Sequence, residues 1–315
     1  MDGGAIAVAR AVVDELSRAA LRGARLAHAN LAGHDLSRAQ LAGADLAGAD
    51  LSATALVGAD LSGATLTGAD LCRADLAHAN LTGADLRDAD LTSASLDAAE
   101  LAGARLAGAK LSGASLRHAS VPGAYLTGAD LYEADLSFAN LAGSHLCGAI
   151  LSMAYLLSAN LFAANLSDAR LAGAMLENAC LVAAQLVRAR LPGARLTGAD
   201  MTAARLSEAQ LQECRLAQTR LFAAELSGAD LSQADLSGAV LTKAKLVRCV
   251  LVQTTLAEAD LRGARTLGAT FAGADLCGAD LGGTGLQQGG FARRFPDASF
   301  SPATRWDRPR RVKRS

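Results

Sequence analysis

Aromatic side chains are scarce in these 315 residues: seven Phe, three Tyr and one Trp make up 3% of a chain that is 51% hydrophobic. A globular core fills its interior at crystal-like density with large side chains of varied shape. Here the apolar mass is Ala and Leu, which excludes a broad core of that kind. Cysteine is no substitute. The six Cys are separated by 75, 33, 34, 35 and 28 residues, neither a disulfide framework nor a zinc spacing, and a reducing cytoplasm is expected. An excess of either charge is missing too: 30 Lys+Arg against 31 Asp+Glu leave −1, which argues against a dedicated nucleic-acid binder or a highly charged disordered chain. The N-terminus is a poor signal peptide, with Asp2 ahead of the apolar stretch and Arg10 inside it. Around the five histidines (His28, His34, His78, His118 and His145) there is no nucleophile elbow, phosphate loop or metal spacing. No catalytic residue, metal or cofactor is expected, and the chain reads as a non-enzyme.

What the chain has is a repeat. From 16 to 291 every position whose number ends in 1 or 6 belongs to one series of 56 slots, of which 51 are Leu; Val121, Met201, Thr266, Phe271 and Phe291 are the exceptions. Two residues before each stands a small side chain, nearly always Ala, with Asp or Asn often between and Gly often two after. The unit reads A-[DN]-L-x-G. A period of five smears leucines around a helix, which advances 100° per residue. On a flat strand it sends successive leucines to opposite faces. The chain must therefore turn within every unit, with Ala and Leu inward and Asx, x and Gly outward. Gly and Asx suit such corners, and repeated turns of one sense wind a solenoid.

These residues resemble the pentapeptide-repeat family over about 276 of the 315 positions. The resemblance implies an all-β fold, a right-handed quadrilateral β-helix with four pentapeptides per coil, here about 14 coils, roughly 65 Å long at the ~4.8 Å strand spacing. Three segments are expected: a short N-terminal capping helix in 1–18, the β-helix in 19–291, and a C-terminal cap with a basic disordered tail in 292–315, with Phe291, Phe295 and Phe300 closing that end. His34 takes an inward slot otherwise filled by Ala and is expected to mark a local bulge. Cys214 and Cys249 take inward slots as inert packing, whereas Cys72 and Cys147 point outward. Between Leu136 and Ser167 no Asp, Glu, Lys or Arg occurs, a transmembrane look-alike, but the five-residue phase runs through it unbroken and marks further coils.

Function then lies on outward slots. Residues 20 apart stack on adjacent coils, so the surface reads as columns. Residues 31–100 carry 3 basic and 11 acidic side chains, and 291–315 carry 8 basic and 2 acidic. The acidic segment holds the column Asp50, Asp70, Asp90, flanked by Asp45, Asp60 and Asp85. At one net charge per ~2 Å it approaches the charge density of B-DNA. The resemblance implies a role for such a surface, because some family members that protect DNA gyrase or topoisomerase IV mimic duplex DNA. Those members are acidic over most of their rods, and some carry loops; this chain is acidic over a quarter of its coils and has none.

A second outward group is apolar: Tyr132, Ile150, Met153, Tyr155, Leu157, Phe162, Met175 and Val182. A contiguous exposed patch marks a contact surface for a protein partner or a second copy in a homodimer. A third group is basic (Arg170, Arg188, Arg190, Arg195, Arg205, Arg215 and Arg220), interrupted by Asp200, Glu208 and Glu213. Two functions are thus expected of a protein-binding solenoid. One is a DNA mimic that binds a type II topoisomerase and protects it from poisons, with no direct DNA binding by the rod. The alternative is an interaction scaffold or effector that uses the aromatic patch. The Arg-rich tail is expected to touch anionic surfaces.

Overall fold

The computed structural model describes residues 21–307. The chain divides into two compact units, Met1–Arg170 and Leu171–Ser315, both built from one five-residue step. Each step has a bridging residue at a number ending in 5 or 0, then the Leu, two turn residues and the Ala. The turn is closed by the Ala amide donating to the Leu carbonyl, as from Ala44 to Leu41 at 3.0 Å. Its third residue has positive φ, 66° at Gly43, the arrangement of a type II turn and the reason Gly recurs there. Where Arg38 or His78 holds the same conformation (φ 61° and 58°), the strain is about 1 kcal/mol per residue.

Successive coils are joined by parallel bridges between residues 20 apart, such as Arg25 with Asp45 and Asp45 with Thr65. Each step contributes three such backbone bonds: Leu26 N–H to the Asp45 carbonyl at 2.7 Å, His28 N–H to the Ala47 carbonyl at 2.8 Å, and Asp45 N–H to the Ala24 carbonyl at 2.9 Å. With the turn bond, four of the five amides are satisfied. The fifth, just after the Leu, is left over, and a buried or half-buried amide needs an acceptor. Asx supplies it: Ser37 N–H donates to Asp35 Oδ1 at 2.9 Å and Cys72 N–H to Asp70 Oδ1 at 2.9 Å. Asp and Asn recur because their short side chains finish the backbone's hydrogen bonding.

Four columns of bridging residues per coil make the cross-section quadrilateral. Inside, Leu and Ala from 36 to 281 are almost completely buried, so every coil repeats one small and one branched residue per side. Polar residues at inward slots find carbonyls: Thr54 Oγ1 donates to Leu31 O at 2.8 Å, Ser144 Oγ to Val121 O at 2.6 Å and Cys214 Sγ to Leu191 O at 2.9 Å. The residues from 136 to 167 continue the same step. No described helix is long and apolar enough to cross a membrane.

The helix expected in 1–18 lies outside the described residues. His34 does not bulge. Its amide closes the ordinary turn on Leu31 at 3.3 Å and its carbonyl accepts from Ala55, while the half-buried ring turns back so that Nδ1 lies 2.9 Å from the Ala32 carbonyl. The tail is also corrected. After Leu281 the chain leaves the repeat, forms α1 (Gln288–Arg294) and then rejoins the ladder, pairing Ser299 with Asp275 and Arg305 with Asp280. Residues 300–307 are therefore part of the folded end, because SPATR supplies the same turn and bridge as a repeat unit. Residues 308–315 lie outside the description. This end is packed with rings: Phe291 lies 5.4 Å from Phe271, 5.0 Å from Phe295 and 5.2 Å from Trp306, and Phe300 lies 5.3 Å from Trp306.

Candidate functional site

The ladder brings Asp50, Asp70 and Asp90 into one column of the first unit, and Asp45 and Asp85 into the adjoining column with Thr65 between them. Asp60 is not with them. Ten residues are two steps and hence half a circuit, so Asp60 stands on the opposite face, between Gln40 and Asn80. Cations further reduce the acidic surface. Arg87 grips Asp85 through two bonds of 2.7 and 2.6 Å, Lys110 lies 3.3 Å from Asp90, and Arg22 lies 3.6 Å from Asp60. The Arg87 bonds hold the Asp85 carboxyl below the usual carboxylate range. Asp60 is lowered chiefly by the Ser62 hydroxyl. At Asp90 partial burial works the other way, but the Thr92 and Lys110 hydrogen bonds outweigh it and the carboxyl is lowered. Asp50 and Asp70 have no cationic partner among the described residues, and Asp45, although stacked on Arg25, is in no ion pair there.

The apolar group is likewise redistributed, because each step turns the chain by a quarter. Met153, Tyr155 and Leu157 run along one coil across a single face, all well exposed. Tyr132 sits one coil earlier at the Met153 corner. Phe138, 44% exposed, sits one coil earlier at the Leu157 corner, where its amide donates to the Leu157 carbonyl at 2.9 Å. These five side chains frame Asp135, which bridges to Tyr155 and is paired with Arg117 at 3.0 Å. Ile150 is half-buried on the preceding face. Phe162, although exposed, occupies the next corner after Leu157, one face farther on beyond Asn140 and Asn160, and so does not join the patch. Met175 and Val182 belong to the second unit and are half-buried there.

Phe138 joins this patch beyond the residues expected there, and its stacking partner stands 20 residues earlier in the sequence. His118 stacks on it with ring centroids 5.0 Å apart and planes 8° from parallel. Tyr125 and His145 form a second stack at 4.8 Å and 3° on another face. Among the second unit's arginines, Arg195 and Arg215 share a column, yet Arg195 is paired with Glu177 at 2.6 Å and Arg220 with Asp200 at 3.8 Å.

The family model described as pentapeptide repeats matches in eight copies between residues 19 and 288. No curated protein sequence matches the chain. Among solved structures, the chain is similar to HetL, a pentapeptide repeat protein involved in heterocyst differentiation regulation from the cyanobacterium Nostoc, with 34% identity over 70% of this chain and 88% of that one and a TM-score of 0.38. It is also similar to full-length QnrB1, a plasmid-mediated fluoroquinolone resistance protein, with 19% identity over 66% and 94% of the two chains and a TM-score of 0.21. A pentapeptide repeat protein of the Arabidopsis thaliana thylakoid lumen matches at 22% identity over 40% and 70%, with a TM-score of 0.24.

Proposed function

The chain belongs to the pentapeptide-repeat family, a right-handed quadrilateral β-helix, and from that premise we propose that it is a non-enzymatic scaffold which captures another protein through the apolar face of its first unit. The observation that carries this reading is the clustering of Tyr132, Phe138, Met153, Tyr155 and Leu157, each 38–44% exposed, on one face and its two corners. Scattered exposed apolar residues are ordinary, whereas a contiguous group marks a contact surface. The Arg117–Asp135 pair in its midst sets orientation, since polar groups within an apolar contact fix register more than affinity. Six free thiols are compatible with a reducing cytoplasm. Replacing Phe138 and Tyr155 by Asp should leave the circular dichroism unchanged, because both side chains point outward, and should abolish recovery of a cellular partner in an affinity pull-down. Unchanged recovery, together with unchanged light scattering, would remove this face from consideration.

A second reading is favoured by one observation. Asp50 and Asp70 stack on adjacent coils with no cation beside them, and Asp45 lies on the next face; like charges at ~4.8 Å repel at a cost that Asn would avoid. Such a surface suits a DNA mimic that binds a type II topoisomerase. The pairing of Asp60, Asp85 and Asp90 with Arg or Lys weakens it. A gyrase supercoiling assay, with and without a fluoroquinolone, tests it: neither inhibition, protection nor binding at micromolar protein would reject it.

A further inference from the structure

Half of the last repeat coil in the second unit has no neighbour. On each face the ladder presents three backbone groups to the next coil, the carbonyl of the Ala and the amides of the Leu and of the positive-φ residue. On two faces they are used: the Ala274 carbonyl and Leu276 amide bond to Ser299 at 2.9 Å each, and the Ala279 carbonyl and Leu281 amide bond to Arg305 at 2.8 Å each. On the other two faces the chain has already turned away at Thr284 toward α1. One of these is roofed by Phe291 and Phe295 over Phe271. The other is open. There the Ala264 carbonyl and the Thr266 and Gly268 amides have no hydrogen-bond partner among the described residues, and they border a cavity of about 680 Å³ walled on its far side by 283–286 and Arg294.

The side chains around this edge are distinctive. At this step Thr266 takes the inward slot in place of Leu with the five-residue phase unchanged, and Leu267, 80% exposed, points out beside Val247. Arg265 and Arg294 line the same cavity and have no ion-pair partner among the described residues. Asp307 closes the rim, accepting from the Gly285 amide at 2.8 Å. The sequence then continues with Arg308, Arg310, Arg311, Lys313 and Arg314.

We propose that the Ala264–Gly268 edge is a docking site for an extended acidic segment of a partner protein, added as a further parallel strand. Unpaired edge groups are a template for strand addition, with the main chain supplying affinity and alternate side chains specificity. An adjoining face already holds Arg305, and the opposite face Ser299, as parallel strand residues of this kind. Charge selects the occupant: its carboxylates meet Arg265 and Arg294, and an apolar side chain covers Leu267. This site is independent of the apolar face in the first unit, so either can fail alone.

The probe is a fluorescein-labelled acetyl-Val-Glu-Val-Glu-Val-amide peptide, titrated into the full chain by fluorescence anisotropy beside its Lys counterpart. The Glu peptide should bind more tightly, and hydrogen exchange of the Thr266 and Gly268 amides should slow. Thr266→Pro deletes an amide that bonds to nothing in the free protein, a position where an edge tolerates proline, and should weaken binding about tenfold, the value of one backbone bond. Arg294→Glu leaves the ladder untouched and should transfer the preference to the Lys peptide, which keeps the test valid should the proline variant fold poorly. Equal affinity for the two peptides, unchanged exchange at these amides, or displacement of the Glu peptide by a short oligothymidine would overturn the proposal, the last by assigning the arginines to phosphate.

Discussion

One column of the first unit repeats the same charge over three coils, whereas columns of the second unit alternate it at several steps. Asp50, Asp70 and Asp90 follow one another in that column of the first unit, and the run ends where Lys110 appears. In the second unit Arg205, Glu225 and Lys245 follow one another, as do Asp200 and Arg220, and the ladder brings Lys245 to 3.1 Å from Glu225 and Arg220 to 3.8 Å from Asp200. The interiors are interchangeable, both lined by buried Leu and Ala. The fold is therefore indifferent to what its columns carry. A like-charge column persists although exposed repulsion opposes it, whereas alternation contributes a few tenths of a kcal/mol per pair.

The largest effect expected tests the likeness of the interiors. Leu71→Ala in the first unit and Leu231→Ala in the second should each cost about 3 kcal/mol, since both side chains are fully buried and an Ala leaves a cavity. Denaturant titration followed by circular dichroism measures both. A large disparity would mean that the two cores are not packed alike. Acid comes next. The carboxyls lowered in the fold include Asp85 and Asp260, each held chiefly by its bond to the Arg two residues on. A depressed folded value contributes stability that is complete above the unfolded carboxylate value of about 3.9 and is lost as pH falls through the lower folded value. Denaturant midpoints should hold steady from pH 7 to about 5 and fall below about 4.

A smaller effect isolates the columns. Asp70→Asn keeps the side-chain oxygen that receives the Cys72 amide but removes one of the stacked charges, and should stabilise by about 0.5 kcal/mol at low salt, fading at high salt. Asp235→Asn, next to Arg215 in its column, should destabilise by a similar or smaller amount. Equal signs for the two would erase the contrast between the two columns. The smallest expected difference is chemical. Burial pushes the Cys214 and Cys249 thiols up to about 12, so in the native protein a thiol reagent should modify only half-buried Cys72, Cys147, Cys180 and Cys277, with the remaining two reacting after unfolding.

Much of the fold was legible because each five-residue step satisfies itself locally: the positive φ at position three, the Asx acceptor and the inward Ala and Leu leave their marks in every unit. Surface grouping was less legible. Residues close in sequence diverge by a quarter circuit per step, so Tyr155 and Phe162, seven residues apart, face different ways, and Asp60 stands behind the other acids. Long side chains add partners that no pattern of five displays, as when Arg22 reaches Asp60 across nearly two coils. The open edge at 264–268 depends on where the chain leaves the ladder and where it returns, and neither α1 nor the rejoining of SPATR follows the repeat.

By itself the sequence determined the step, its period, the lining of the interior and the chemistry of every column, because these are set by backbone bonds between residues at most 21 apart in a regular register. The tertiary structure alone decided which acids are neutralised and which backbone groups are left without a neighbour. Those are properties of coils meeting one another and of an end where the repetition stops. A periodic chain specifies its interior many times over, but a surface and a terminus are each specified only once.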